Sequence, residues 1–179
     1  MRTNELSEDI HGWLLIDKPM GIGSTKVVSI IRRITGIRKI GHGGTLDPDA
    51  TGVLALALGE ATKTVPVLGD TLKTYRFTLR LGIATDTDDS SGKTINQSSI
   101  RPATKDIKKT IEKLRGHILQ IPPKLSALKI NGTRAYKLFH EGLEYELSPR
   151  KIYVKDISIL QRKNINEVTM EFTCGKGGY

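Results

Sequence analysis

Hydrophobic and polar positions in the first third of the chain predict a strand, a helix and a second strand. Gly12–Asp17 is typical of a short strand, which ends before a Lys-Pro pair because the residue preceding proline avoids helical backbone. A helix follows, with Ser24 or Thr25 as its cap and Gly36 as its end. The wholly apolar run Val53–Leu58 predicts a buried strand. The expected inner face of the helix consists of Val27, Val28, Ile31 and Ile34.

The second half of the chain carries clearer strand patterns. In Lys73–Leu81, apolar side chains alternate with threonine and arginine, which predicts a strand with a basic outer face. A helix is expected over residues 104–115, and Lys151–Leu160 and Glu167–Cys174 indicate two strands joined by a turn. Because strands and helices do not alternate regularly, we expect an α+β fold with a mixed, mostly antiparallel central sheet and flanking helices. The expected inner residues of that helix are Ile107, Ile111 and Leu114.

Composition and charge narrow the function classes. The 179 residues are 37% hydrophobic and 26% charged, which is typical of one folded domain, expected here to span residues 1–179. No apolar run is long enough to span a membrane and no secretory signal is visible, so we expect a cytoplasmic protein. The single cysteine, Cys174, excludes an intrachain disulfide and a multi-cysteine metal site.

The charge is unevenly distributed. Residues 1–70 hold eight basic and eight acidic side chains, so the net charge of +9 belongs to residues 71–179. Such an asymmetry favours a polyanionic partner for the second part of the chain, although solvated lysines without a partner would give the same count.

The segment Gly41–Gly52, G-H-G-G-T-L-D-P-D-A-T-G, is the strongest candidate for chemistry. Its four glycines and one proline predict a tightly shaped loop. The glycine spacing matches neither a P-loop nor a dinucleotide-binding fingerprint. Asp47 and Asp49 are the groups ionised at neutral pH, and His42 is the third titratable one. Either carboxylate can serve as a nucleophile or a base. Alternatively, Asp47 has only a structural role, because Asp-Pro pairs often begin turns.

The acidic run Asp86, Asp88 and Asp89 invites a comparison with calcium-binding loops. An EF-hand counted from Asp86 requires glycine at position 6 and glutamate at position 12, but this chain has Ser91 and Gln97 there. The run is therefore interpreted as a solvated turn, and the other histidines are scattered without metal-binding spacing.

Motifs that follow one another in a fixed order along the chain resemble one family of RNA-modifying enzymes. The runs G-W-L-L-I-D-K-P-M-G and G-H-G-G-T-L-D-P-D-A-T-G-V-L resemble the bacterial tRNA pseudouridine synthases that act on uridine 55, the TruB family. Lys73-Thr74-Tyr75-Arg76 is similar to the family's K-x-Y-R strand, and I-P-P-K-L-S-A-L-K-I-N-G-T-R-A-Y looks like the block that follows it. C-G-K-G-G-Y is similar to the K-G-x-Y motif. The likeness runs from Gly12 to Tyr179, almost the whole chain.

The resemblance implies a role for each matching residue. Asp47 corresponds to the catalytic aspartate. Tyr75 corresponds to the tyrosine that stacks on the target base and is a candidate for proton removal. His42 is expected to fill space near the flipped nucleotides, and Lys176 and Tyr179 are expected to line the uridine pocket. The residues expected to support the active loop are Lys18, Pro19 and Gly44.

The resemblance also implies a reaction and a partner. In pseudouridine formation the glycosidic bond breaks, the uracil rotates, and it rejoins the ribose through carbon 5. Because no redox equivalent or external nucleophile is consumed, neither a cofactor nor a metal is expected. Asp47 can attack the ribose or the uracil, or abstract a ribose proton, and the sequence leaves these routes open. The expected partner is the T-arm stem-loop of tRNA, clasped by an insertion at about residues 126–150, and we expect a monomer that binds no membrane.

The chain departs from the family pattern at three places. Gly23 stands where threonine or serine is usual, and Gly178 stands where threonine is usual. The sequence stops at Tyr179, before the arginine that pairs with the catalytic aspartate, the rest of the catalytic sheet and the C-terminal RNA-binding domain. We therefore expect an N-terminal portion of the catalytic domain that is weakly active or inactive alone. Two other classes stay open: a non-catalytic RNA-binding module, and a small-molecule hydrolase or phosphotransferase that uses Asp47.

Overall fold

A computed structural model describes residues 10–126 and 128–178. The chain falls into two compact units, Met1–Thr71 and Leu72–Tyr179, and each is described by itself. Every strand pair among the described residues is antiparallel, which confirms the α+β class. The strands form a three-stranded sheet, a four-stranded sheet and two small hairpins. The single catalytic domain expected over residues 1–179 stays a prediction. Within the described ranges, no helix has the length and apolar character that a membrane crossing needs.

The first unit is a three-stranded sheet with a helix packed on one face. Its elements are β1 (Gly12–Lys18), α1 (Ser24–Thr35), β2 (Ile40–His42), β3 (Gly52–Leu58), a 3-10 helix (Gly59–Thr64) and α2 (Val65–Gly69). The strand order is β1-β3-β2, with Lys18 opposite Gly52 at one end. Val27 and Val28 of α1 pack on Leu54 and Leu56 of β3 to form the core.

Two apolar residues of the first unit are exposed, contrary to the sequence-based expectation. Ile34 is 71% exposed near the end of α1, and Val53 is also 71% exposed. Successive side chains of a strand point to opposite faces, so Val53 points away from the core that holds Leu54. The prediction that Gly36 ends the helix is confirmed, because its φ is 74° and its N–H donates to the Arg32 carbonyl.

The second unit is a four-stranded sheet in the order β4-β11-β10-β7, with a helix packed on it. Its elements are β4 (Lys73–Arg80), β5 (Ile83–Thr85), β6 (Thr94–Gln97), α3 (Thr104–Glu112), β7 (Gly116–Gln120), β8 (Lys129–Ile130), β9 (Thr133–Arg134), α4 (Ala135–His140), β10 (Arg150–Arg162) and β11 (Glu167–Cys174). The buried core is Ile107, Ile111, Ile152, Val154, Ile157, Val168 and Met170. The predicted pairing of the last two strands is confirmed.

The helix predicted to run to Arg115 ends at Glu112, and Leu114 is 40% exposed rather than inward. The guanidinium of Arg115 contacts Asp156 at 2.9 Å and donates to the Ile157 carbonyl at 3.0 Å. These bonds hold the chain after α3 against β10. Ala103 occupies the cap position of α3, and no side chain caps the helix.

The Cys174 thiol lies in the core of the second unit, with 1% of the residue exposed. Burial raises the pKa of the thiol, and the charge of Lys73, opposite it on β4, partly offsets this shift. Since the thiolate is the reactive species, we expect alkylation by iodoacetamide to be more than about tenfold slower in the native protein than in urea. Mass spectrometry measures both rates, and equal rates would contradict the burial of this thiol.

Candidate functional site

Asp47 lies in the loop between β2 and β3, where it is exposed to solvent. The Ala50 N–H donates to the Asp47 carbonyl at 3.1 Å, so the segment closes as a turn. Pro48 and Asp49 are also exposed. The turn expected from the Asp-Pro pair is therefore present, and it leaves Asp47 accessible to a reactant.

The peptide group before Asp47 is fixed by a side chain of α1. Ser24, which is 2% exposed, donates its hydroxyl to the Leu46 carbonyl at 2.9 Å. The same Oγ accepts the Leu46 N–H at 2.9 Å. The prediction that Ser24 or Thr25 caps the helix is wrong, because Gly23 is the cap residue and no side-chain cap bond forms. The Ser24 hydroxyl binds the loop instead.

The Pro48 carbonyl, one residue after Asp47, is held by a buried ammonium. Lys18 is 0% exposed at the end of β1. Its Nζ donates to the carbonyls of Ile22 at 2.7 Å, Pro19 at 2.9 Å and Pro48 at 3.3 Å. Burying a charged group is costly unless its donors are satisfied, and three carbonyls match the three N–H donors of an ammonium. The Gly21 N–H also donates to the Pro48 carbonyl, at 2.8 Å.

The start of this loop packs closely within the first unit. His42 ends β2 opposite Leu56, and the residue is half-buried. Its Nδ1 atom is buried and has no hydrogen-bond partner within the described part of the chain. The Gly43 N–H donates to the Ala55 carbonyl at 2.9 Å, and a Cβ on Gly43 would collide with the Leu68 side chain. Gly44 is exposed. The loop therefore leaves β2 at a glycine where the backbone is tightly enclosed.

The remaining predicted site residues belong to the second unit. Tyr75 lies on β4 opposite Phe172 and is half-buried. Lys176 is exposed in the turn that follows β11, and Tyr179 lies outside the described residues. Their roles, like those of the first-unit residues, stay predictions.

Arg150 holds the turn that carries Lys176, a function that the sequence did not suggest. Its guanidinium donates to the Gly177 carbonyl at 2.5 Å and to Gln120 Oε1 at 3.3 Å. The turn also closes through the Gly178 N–H, which donates to the Gly175 carbonyl at 3.2 Å. In this conformation a Cβ on residue 178 would lie 2.7 Å from Cys174 Sγ, which gives a steric reason for glycine there.

The acidic turn between β5 and β6 is held by its own hydrogen bonds. Asp89 Oδ1 accepts bonds from the Thr87 hydroxyl and from the Ser91 hydroxyl and N–H, and Asp86 Oδ1 accepts the Lys93 N–H. No cluster of three or more histidine, cysteine or acidic side chains that could hold a metal occurs in residues 10–126 and 128–178.

Comparison with known proteins places the motifs in one family. Residues 32–179 match the family described as TruB family pseudouridylate synthase (N terminal domain). The tRNA pseudouridine synthase B of Ruegeria pomeroyi is 52% identical over 179 residues, which cover 100% of this chain and 59% of that protein. That of a Caulobacter species is 45% identical over 179 residues and 58% of its length. This chain thus spans about three fifths of the length of these curated relatives.

Solved structures that resemble this chain belong to complexes with several components. The crystal structure of a Cbf5-Nop10-Gar1 complex matches with a TM-score of 0.70 and 27% identity, over 98% of this chain and 42% of that chain. A structure of an H/ACA RNP bound to a substrate RNA containing 2'-deoxyuridine matches with a TM-score of 0.66 and 25% identity, over 99% of this chain and 42% of that chain.

Proposed function

Because this chain belongs to the TruB family of pseudouridylate synthases, we propose that it supplies catalytic residues of an enzyme that converts uridine 55 in the T-arm of tRNA to pseudouridine. The observation that carries the proposal is the placement of Asp47. Its carboxylate is exposed, while Ser24 holds the Leu46 carbonyl before it and Lys18 holds the Pro48 carbonyl after it. A nucleophile or base of this kind must be accessible to the reactant and fixed in place.

The proposed reaction is an isomerisation. The bond between N1 of uracil and C1′ of ribose breaks, the base rotates, and a bond forms between C5 and C1′. The proton on C5 is lost and N1 gains one, so atoms and electrons balance without a redox partner. A carboxylate can attack C1′ or the uracil ring, or abstract a ribose proton. We assign the role of this carboxylate to Asp47, and the choice among the three routes stays open.

The proposal requires the uridine to leave its stack. Extruding a nucleotide costs a few kcal/mol, and stacking on an aromatic side chain returns about 1–3 kcal/mol. We assign the stacking to Tyr75 and the space near the flipped nucleotides to His42. Lys176 and Tyr179 are assigned to the uridine pocket. Lys18, Pro19 and Gly44 support the active loop.

The charge distribution supports tRNA as the partner. The net charge of +9 belongs to residues 71–179, and contacts to phosphates dominate the affinity of basic proteins for RNA. The insertion at about residues 126–150 is the proposed clasp on the T-arm. The enzyme is proposed to be a cytoplasmic monomer that needs no cofactor.

Tritium release tests the proposal. The chain, in excess, is incubated with unmodified tRNA labelled at C5 of uridine, and with the same tRNA carrying cytidine at position 55. From the first substrate we expect slow release of at most one tritium per tRNA. From the tRNA with cytidine at position 55 we expect no such release. Release that does not depend on position 55 would contradict the proposed specificity, and binding without any release would favour a non-catalytic RNA-binding module or an inactive fragment.

The salt dependence of binding is measured on the same tRNA by fluorescence anisotropy. If phosphate contacts dominate, the affinity falls by about tenfold or more between roughly 50 and 200 mM salt. An affinity that does not change with salt would exclude the basic residues of the second unit as the principal contacts.

A further inference from the structure

We propose that Ser24 is a positioning residue for Asp47, acting through the backbone of Leu46. This inference rests on the proposed function of Asp47 and adds a residue for which the sequence pattern predicted only a capping role. The Ser24 hydroxyl both donates to the Leu46 carbonyl and accepts the Leu46 N–H, each at 2.9 Å. One side chain thus satisfies both polar backbone groups of the residue immediately before the carboxylate.

The two bonds restrict two consecutive peptide groups. The Leu46 N–H belongs to the peptide that joins residues 45 and 46, and the Leu46 carbonyl belongs to the peptide that joins it to Asp47. Fixing both planes limits the rotation of the backbone at Leu46, which sets the direction in which the chain enters Asp47. After Asp47, the Pro48 carbonyl is held by Lys18 and by the Gly21 N–H.

Ser24 is itself held rigidly. It is the first residue of α1, it is 2% exposed, and Val27 and Val28 of the same helix are buried in the core. The Leu46 side chain packs against that core. A hydroxyl on a packed helix holds its partner more firmly than one on a loop would, and a functional group needs such support to stay within about 0.5 Å of its productive position.

The inference predicts a loss of rate without a loss of binding. Ser24→Ala removes both bonds, so the loop can sample other conformations and the carboxylate is displaced. A displacement of about 1 Å can reduce a rate by roughly a hundredfold. We expect the single-turnover rate of tritium release to fall by about tenfold to a hundredfold, with the Kd for tRNA unchanged within about twofold.

Ser29→Ala is the matched control. Ser29 lies in the same helix, is exposed, and its hydroxyl donates to the Thr25 carbonyl at 3.1 Å without touching the loop. We expect Ser29→Ala to have the same rate of tritium release and the same Kd for tRNA as the parent chain. Equal losses of rate in the two variants, or an unchanged rate in Ser24→Ala, would overturn the inference.

Amide hydrogen exchange tests the same contact without an activity. In folded Ser24→Ala, the Leu46 N–H should exchange at least about tenfold faster, whereas the Gly36 N–H, which bonds to the Arg32 carbonyl, should not change. The NMR shift of the Asp47 carboxyl carbon should move and that of Asp49 should stay. If the parent chain releases no tritium, it is not catalytic by itself, and the exchange measurement then decides the inference. Unchanged Leu46 exchange and an unmoved Asp47 signal would overturn the inference.

Discussion

Asp47→Asn is expected to abolish pseudouridine formation while leaving the Kd for tRNA unchanged within about twofold. Asparagine has the size and shape of aspartate but no ionised oxygen, so it can neither attack a carbon centre nor accept a proton at neutral pH. The side chain is exposed, and Ser24 and Lys18 hold the loop through the backbone of Leu46 and Pro48, which the substitution leaves unchanged. The loss should therefore be confined to the rate, at roughly a thousandfold or more.

Single-turnover tritium release and fluorescence anisotropy measure the rate and the affinity of the same preparation. Asp49→Asn is the matched control, since Asp49 lies two residues further along the same turn and is equally exposed. It is the rival carboxylate, and we expect its substitution to change the rate by less than about threefold. Loss of turnover in Asp49→Asn with retention in Asp47→Asn would reverse the assignment, and no change in either variant would remove the carboxylates of this loop from the chemistry.

Two strands of the second unit, β4 and β11, could be predicted closely because their signals are local. The alternation in Lys73–Leu81 and Glu167–Cys174 depends only on neighbouring residues, and the observed strands end within one residue of those bounds. The depth of burial could not be predicted in the same way. Phe77 and Leu79 are 38% and 40% exposed, because β4 is an edge strand and α3 packs on β10. Which strand a helix covers is a tertiary property.

The candidate site was predictable in its motifs but not in its contacts. The glycine-rich run indicated a shaped loop with Asp47 as one of two candidates, and the loop is present. The residues that hold it come from other elements: Ser24 is 22 positions and Lys18 is 30 positions from its loop partner. Serine at the start of a helix usually caps it, and lysine is usually exposed, so propensity alone points away from both contacts. Only the family resemblance indicated that Lys18 supports the loop.

Lys18→Met is expected to lower the free energy of unfolding of the first unit by about 2–4 kcal/mol. Methionine fills a similar volume but donates no hydrogen bond. The carbonyls of Pro19 and Ile22 then lose the ammonium, whereas the Pro48 carbonyl keeps the Gly21 N–H. An unsatisfied buried carbonyl costs about 1–3 kcal/mol, and removing the desolvated charge of Lys18 offsets part of the loss.

Trp13 provides the signal for this measurement, because the sequence contains one tryptophan and it lies on β1, the strand that ends at Lys18. Urea unfolding followed by its fluorescence should show a lower midpoint for Lys18→Met. Lys26→Met, an exposed position on α1, should stay within about 0.5 kcal/mol of the parent. If both variants unfold at the parent's midpoint, the buried ammonium does not stabilise the turn, and the support of the Asp47 loop depends on Ser24 and the Gly21 N–H instead.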